Sequence, residues 1–290
     1  MSDDARLEVR KTHKLFIGGA FPRSESGDTL AVVGRDGSVL AQASKASRKD
    51  VRDAVKAAAG AAPGWAERTA YNRGQVLYRI AEILADRRSV FVDAVARTAG
   101  DDSLDAEVEV DASIDRWVWY AGWTDKLAMV LGSRNPVAGP YFNVSSPVPV
   151  GVVGIVAPQA PSLLGLTSTL APVLAGGNTA VVVAAAATTL PTIALAEVLA
   201  TSDVPAGVVN LLTGAQRELQ PWLAGHRAVD GLDATGVADA DIRAIEVEAA
   251  DNLKRVHRST ITDWLADDAQ SPWMCATFLE TRTVWHPAGR

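Results

Sequence analysis

The sequence is poor in cysteine and has no cluster of basic residues. Cys275 is the single cysteine among 290 residues, which excludes an internal disulfide and a metal site built from several cysteines. Acidic residues outnumber basic ones by 34 to 28, and the densest basic stretch, Lys45 to Lys56, is interrupted by Asp50 and Asp53. Because binding to a phosphate backbone requires clustered lysine and arginine, the composition argues against a nucleic-acid-binding protein.

Long uninterrupted hydrophobic runs are also absent. The most apolar stretch, residues 148–187, is broken by four prolines, whereas a membrane helix requires about 20 consecutive apolar residues. The N-terminal segment Met1-Ser2-Asp3-Asp4 is acidic and no apolar run follows it, unlike a signal peptide. The four histidines are scattered without metal-ligand spacing. We therefore expect a cytoplasmic protein with no membrane contact and no metal site.

The second half of the chain alternates short apolar segments with helical patterns. Val152 to Val156 is apolar without interruption, which is typical of a strand buried on both faces. Alternation of strands and helices at this spacing favours right-handed parallel crossovers. We predict an α/β fold with a doubly wound, mostly parallel sheet. Its strands are expected at 152–156, 179–183, 208–212 and 229–232, and its helices at 162–174, 190–200, 216–224 and 241–256.

The first half contains a hairpin followed by helices. Strands at 29–33 and 39–43 are joined through Asp36-Gly37, a dipeptide typical of tight hairpins. Ser47, with Asp50 three residues later, marks a helix start, and we expect that helix to end at Pro63-Gly64. Further helices are predicted at 70–86, 90–98 and 111–127, and further strands around Val144 and at 277–285.

Several segments, taken in order, resemble landmarks of the aldehyde dehydrogenase superfamily. They are Lys14-Leu15-Phe16-Ile17-Gly18-Gly19, Pro63-Gly64-Trp65, Tyr120-Ala121-Gly122-Trp123-Thr124-Asp125-Lys126, Pro149-Val150-Gly151-Val152-Val153-Gly154 and Val204-Pro205-Ala206-Gly207-Val208-Val209-Asn210. Each motif alone is weak, but their order and spacing hold from residue 14 to residue 236. The resemblance implies a Rossmann-like cofactor domain with N-terminal helices and a small β oligomerisation element.

The resemblance also implies aldehyde oxidation with NAD(P), which requires a cysteine nucleophile, an oxyanion-binding amide and a carboxylate base. In the family the amide belongs to the asparagine of a Pro-Trp-Asn-Phe-Pro motif. Here the matching segment reads Pro158-Gln159-Ala160-Pro161. Ala160 stands at the asparagine position and cannot donate a hydrogen bond, and Gln159 lies one residue early. The oxyanion position is therefore predicted to be lost.

The positions that hold the cofactor are changed as well. By the resemblance, the lysine and glutamate that bind the ribose correspond to Val183 and Ala186, and the second glycine of the pyrophosphate turn that begins at Gly236 is replaced by Asp241. Losing two polar anchors at about 1–3 kcal/mol each weakens binding by roughly two to four powers of ten. We expect no bound cofactor, or weak NAD(P) binding, at a vestigial site formed by Pro158, Gln159, Val183, Ala186 and Gly236. Asp239 and Asp241 are interpreted as first-turn helix residues.

The thiol and the general base also lack counterparts. The family's Glu-Leu-Gly-Gly-Lys strand, which carries the base, has no match, and Glu246 and Glu248 are predicted to lie on a solvated helix face. Cys275 lies in Trp273-Met274-Cys275-Ala276, unlike the family's nucleophile loop. A lone cysteine is more often a small buried hydrophobe. No catalytic residue is therefore predicted.

The resemblance predicts a domain layout in which the catalytic domain is missing. A cofactor-binding-like domain is expected at 1–130 and 149–258, an oligomerisation element at 131–148 and 276–290, and a linker at 259–275 in place of the catalytic domain. In the family, the C-terminal strand extends the catalytic-domain sheet of a neighbouring subunit. Because an exposed strand edge tends to pair, the expected acceptor is a full-length aldehyde dehydrogenase.

Three hypotheses of function follow from these observations. The leading one is a pseudoenzyme that forms a hetero-oligomer through strand 277–285 and stabilises, positions or regulates a full-length aldehyde dehydrogenase. The second is an NAD(P)-dependent aldehyde oxidoreductase with relocated catalytic groups. The third is a non-catalytic module that binds a small ligand between Pro158 and Gly236.

Overall fold

A computed structural model describes residues 11–98 and 104–288; the prediction about the N-terminal segment falls outside these ranges. The helices are α1 Arg48–Glu67, α2 Ala70–Asp86, α3 Arg88–Thr98, α4 Ala106–Trp123, α5 Leu127–Leu131, α6 Ser162–Ala175, α7 Thr189–Leu199, α8 Gln216–Ala224, α9 Asp239–Ala249 and α10 Pro272–Ala276. The strands are β1 Thr12–His13, β2 Thr29–Val33, β3 Val39–Ser44, β4 Ser133–Asn135, β5 Tyr141–Pro149, β6 Val152–Val156, β7 Thr179–Val183, β8 Val209–Leu212, β9 Gly231–Asp233, β10 Arg255–His257 and β11 Leu279–Pro287.

The central sheet has five parallel strands in the order β10-β9-β6-β7-β8. All five residues of β6 and of β7 are buried, and alternate residues along them belong to two different hydrophobic clusters. Helices α6 and α7 cover one face, while α1 and α8 cover the other. This arrangement confirms the doubly wound α/β prediction.

Helix α1 runs past the proline that was expected to end it. Ser47 and Asp50 form the predicted capping box, but the helix continues through Pro63 to Glu67. Pro63 and Ala59, whose carbonyl loses its helical partner, are both exposed, so water can satisfy that carbonyl. Trp65 is 1% exposed and its Nε1 donates to the carbonyl of Leu174 at 3.2 Å. Burial of this indole accounts for the additional turn.

Two other helix boundaries were predicted wrongly. Helix α4 starts at Ala106, five residues before the predicted start, because the Asp105 side chain caps its first amides. Helix α9 ends at Ala249 and a short 3-10 turn follows, closed by Leu253 in the left-handed region at φ 55°. The chain then forms β10, whose Val256 pairs with Leu232 of β9. The predicted helix at 241–256 is therefore a helix followed by a strand.

A second, antiparallel sheet has the order β11-β5-β4. Nine residues of β11 pair with nine of β5, from Leu279 opposite Pro149 to Pro287 opposite Tyr141. The strand is therefore placed two residues later than predicted, and Thr277 lies in the turn after α10. Residues 258–278 connect β10 to β11 and include a 3-10 turn and α10. In the described ranges, no helix combines the length and apolar character required to cross a membrane.

Candidate functional site

In an open parallel sheet, ligands bind at the carboxyl ends of the strands, where the strand order reverses. Here that position lies at the ends of β6, β7 and β9. Three segments converge on it: the loop 157–161 after β6, the loop 184–188 after β7, and the turn 234–238 between β9 and α9. The predicted vestigial residues all lie in or next to these segments.

Two glutamine side chains close the ends of β6 and β7. Nε2 of Gln216, the first residue of α8, donates to the carbonyls of Ala157 at 2.7 Å and Val183 at 3.3 Å. The Oε1 atom of Gln216 accepts a bond from Nε2 of Gln159 at 2.9 Å. Gln159 is thus engaged with Gln216, while Ala160 is exposed and has only a methyl group. The sequence analysis treated Gln216 only as a helix start, because its carbonyl partners lie far away in sequence.

The positions matched to the ribose anchors contain no polar side chain. Val183 is fully buried and packs in the cluster beneath α1 and α8. Ala186 is exposed at the rim. The carbonyl of Val183 accepts from the Ala157 amide at 3.1 Å as well as from Gln216. This edge of the cleft is therefore apolar, and its backbone groups are already engaged.

The start of α9 carries negative charge that is balanced by arginine. Asp239 and Asp241 lie in the first turn, which confirms their interpretation as first-turn residues. Asp241 pairs with Arg217 at 2.7 Å and Asp239 with Arg258. Gly236 brings this turn onto β6, where its amide donates to the Val156 carbonyl at 2.9 Å and a Cβ would collide with the Ala157 carbonyl. A phosphate at this helix terminus would have to compete with these two carboxylates for their arginine partners.

The N-terminus of α6 is occupied by a buried carboxylate that sequence reasoning missed. Oε1 of Glu109, on α4, accepts from the Ser162 hydroxyl at 3.0 Å and from the amides of Leu163 and Leu164. Glu109 is 1% exposed. A carboxylate at a helix N-terminus is stabilised by the helix dipole, so these amides are not free for another anion. No local pattern could indicate this contact, since the partners lie more than fifty residues apart.

Cys275 is placed away from the cleft and has an unreactive environment. It lies in α10, which contacts α6, and packs in the large hydrophobic cluster on the α6 side of the central sheet. It is 1% exposed, and burial raises the pKa of its thiol to about 12. Because the thiolate is the nucleophile, the thiol is almost entirely in its unreactive form near neutral pH.

The three residues that follow β10 include no carboxylate. β10 occupies the edge of the central sheet, and Arg258-Ser259-Thr260 follows it. Glu246 and Glu248 lie on the exposed side of α9, as predicted. Neither the strand end nor this helix face brings a general base to the cleft.

Comparison with known proteins identifies the family. The sequence model of the aldehyde dehydrogenase family matches residues 22–260, which is most of the chain. The chain belongs to the aldehyde dehydrogenase family. The match extends through β10, so the edge strand is part of the shared domain.

Relatives in this family are considerably longer than the matched region. The chain is 34% identical over 256 residues to cytosolic 10-formyltetrahydrofolate dehydrogenase of Homo sapiens, covering 86% of this chain and 28% of that protein. It is similar to the crystal structure of HpcC from Thermus thermophilus, with 30% identity and a TM-score of 0.79, covering 86% of this chain and 48% of that one. The NAD+ complex of an aldehyde dehydrogenase from Bacillus cereus has 27% identity and a TM-score of 0.77, covering 85% and 50%. The chain thus spans about half, or less, of these relatives.

The residues at the cleft do not fit a dinucleotide. The Val183 and Ala186 positions offer no hydrogen bond from a side chain, and Gln216 and Gln159 bond to the backbone and to each other. The helix terminus at Gly236 presents carboxylates. Binding NAD(P) here would require breaking these internal bonds and placing phosphate beside two carboxylates that are already paired with arginine.

Proposed function

We propose that the chain is a non-catalytic member of the aldehyde dehydrogenase family that assembles, through β11, with a complete member of the same family. The observation that carries the proposal is the edge of the β11-β5-β4 sheet. β11 is nine residues long, is exposed along almost its whole length, and is paired on one side only within the described residues.

The pairing pattern indicates which backbone groups are available to a partner. The Val150 amide donates to the Phe278 carbonyl and the Ala288 amide to the Pro140 carbonyl. These two pairs are therefore hydrogen-bonded pairs, and each lies one residue beyond an end of the β11–β5 ladder. In an antiparallel ladder hydrogen-bonded pairs alternate with non-bonded ones. Thr281, Thr283 and Trp285 therefore direct their N–H and C=O groups away from β5. Such a row of unpaired groups is a template for strand addition.

Both faces of the sheet also expose apolar side chains next to this edge, Phe142 and Val284 on one face and Trp285 and Tyr141 on the other. Phe142 and Val284 are 44% and 55% exposed, and Trp285 is 58% exposed. Trp285 packs edge-on against Tyr141, with ring centroids 5.7 Å apart. Exposed aromatic residues beside an open edge are typical of an interaction surface.

A second copy of the chain provides a poorer acceptor on its central sheet. The outer side of β8 is already bridged by Phe16, whose amide and carbonyl bond to Leu211 at 3.0 and 2.7 Å. The opposite edge, β10, has three residues. The relatives in the comparison are two or more times as long as the matched region, which supports a partner with further sheet structure.

The proposal is tested by co-expressing the chain with complete aldehyde dehydrogenases and analysing the purified complexes by native mass spectrometry. Thr281→Pro removes one outward N–H without removing a bond to β5, and Thr281→Val is the matched control that keeps this N–H. We expect Thr281→Pro to weaken the complex by about ten-fold or more and Thr281→Val to leave it intact. A stable monomer with every partner would contradict the proposal, as would equal behaviour of the two variants.

A further inference from the structure

A groove of about 360 Å³ lies between α1 and α8, apart from the cleft described above. Its lining includes Arg48, Arg52, Pro221, Trp222, His226 and Glu248. Small-molecule sites begin at roughly 300 Å³, so the groove has the size of a site for a small ligand. The C-terminal half of α8 forms one wall of the groove. This half of the helix lies toward the amino ends of the strands, whereas the cleft lies at their carboxyl ends.

The guanidinium of Arg48 has no carboxylate partner among the described residues. Its Cζ atom lies 4.2 Å from the centroid of the Trp222 ring, and the Trp222 side chain is 45% exposed. Arg52, one turn later on α1, is already paired with Asp53 at 2.8 Å. The groove therefore contains one cation without a carboxylate partner beside a partly exposed aromatic ring, and a guanidinium binds a carboxylate in bidentate geometry.

Two further groups define the polarity of the lining. Burial and the nearby charge of Lys254 lower the pKa of His226, which favours the neutral ring. Nδ1 of His226 accepts from the Ala228 amide at 3.2 Å, so in the neutral ring the proton is on Nε2, which is left to donate. Glu248 supplies an acceptor at the rim. The lining thus combines two donors, one acceptor and an aromatic wall.

We propose that this groove binds a planar aromatic carboxylate, with its ring beside Trp222 and its carboxylate on Arg48. A hydroxyl or amino group on the ring would match the acceptor Glu248. A non-planar acid would lose the ring contact, and a neutral aromatic compound would lose the charge-assisted bond.

Isothermal titration calorimetry and ligand-observed NMR on the full chain test the inference. The probe is 4-hydroxybenzoate, and the comparison compounds are 4-hydroxybenzyl alcohol, which is neutral, and cyclohexanecarboxylate, which is not planar. Arg48→Met keeps the stem length and removes the charge, and Trp222→Leu removes the ring. Arg227→Met is the matched control, since Arg227 is an exposed arginine outside the groove.

We expect 4-hydroxybenzoate to bind and both comparison compounds to bind about ten-fold more weakly or not at all. Arg48→Met and Trp222→Leu should each reduce affinity by a similar factor, and Arg227→Met should not. Arg48→Lys, which keeps the charge but loses the planar fork, should fall between wild type and Arg48→Met, and serves if the methionine variant does not fold. Absence of binding at millimolar probe would overturn the inference, as would equal binding of the neutral alcohol.

Discussion

The thiol of Cys275 lies in the main core, within one turn of the point where the chain enters β11. Its burial raises the pKa to about 12, and the neighbouring phenol of Tyr120, also buried, has its pKa raised as well. Both groups are therefore neutral in the folded chain well above the pH at which they ionise in the unfolded chain. Their placement links stability to pH on the alkaline side.

The sign of that link can be tested with Cys275→Ala. Above pH 9 the unfolded chain loses the thiol proton while the folded chain keeps it, so the free energy of unfolding falls as pH rises. With an ordinary thiol pKa of 9.0 in the unfolded chain, the thiol alone should account for about 1.4 kcal/mol of lost stability at about pH 10. Urea unfolding at neutral pH and at about pH 10 should show a smaller drop for Cys275→Ala than for wild type. Identical drops would show that the thiol ionises normally in the folded state.

At the scale of elements, Arg116 joins three parts of the fold. It is 4% exposed, and its guanidinium donates to the Ser168 hydroxyl on α6 at 2.7 Å and to the carbonyls of Ala269 and Trp264 at 2.7 and 2.8 Å. The last two belong to the segment between β10 and β11. A side chain of α4 thus fixes the path that leads to β11.

Replacing Arg116 by methionine should loosen this segment. The change leaves two carbonyls without their donor, at a cost of about 2–4 kcal/mol in the free energy of unfolding. Hydrogen exchange should increase in residues 259–276 more than in the central sheet. The control Arg79→Met removes an exposed pair with Glu82 at 3.1 Å, which we expect to change stability by less than about 0.5 kcal/mol. Equal losses in the two variants would argue against the role of Arg116.

At the scale of the whole molecule, the cleft and the arm formed by β11, β5 and β4 differ in how their polar groups are used. At the cleft, Gln216 and Glu109 engage backbone groups at the strand ends and at the start of α6. On the arm, a row of backbone groups in β11 is left unpaired within the described part of the chain. This contrast favours assembly over cofactor chemistry.

Cofactor binding gives a direct check of this contrast. Millimolar NAD+ or NADP+ should leave the melting temperature of the chain unchanged. A ligand raises the melting temperature only when its concentration is comparable to or above its Kd for the folded chain. An aldehyde panel should then yield no reduced cofactor above background. A clear upward shift in melting temperature would restore a cofactor role, and steady turnover abolished by Cys275→Ala would restore a catalytic one.

The sequence predicted those parts of the fold that local patterns specify. β6 and β7 are continuous apolar runs, so their burial and pairing followed directly from composition. β10 was missed because it has only three residues. Val256 is typical of a strand, but Arg255 and His257 are not. The bonds of Gln216, Glu109 and Arg116 could not be predicted, since their partners are distant in sequence and meet only when the helices pack. The interpretation of Ala160, Val183 and Ala186 as positions without their polar side chains came from family resemblance, because no local pattern marks them.

The side-chain amide of Asn178 is one of the contacts that connect the arm to the rest of the molecule. Its Oδ1 accepts from Gly151 at the start of β6, and its Nδ2 donates to the Phe278 carbonyl just before β11. A force that a bound subunit exerts on the arm would therefore act directly on the start of β6 in the central sheet, and not on a flexible hinge. The arm and the rest of the molecule should therefore unfold together on heating, in one transition instead of two.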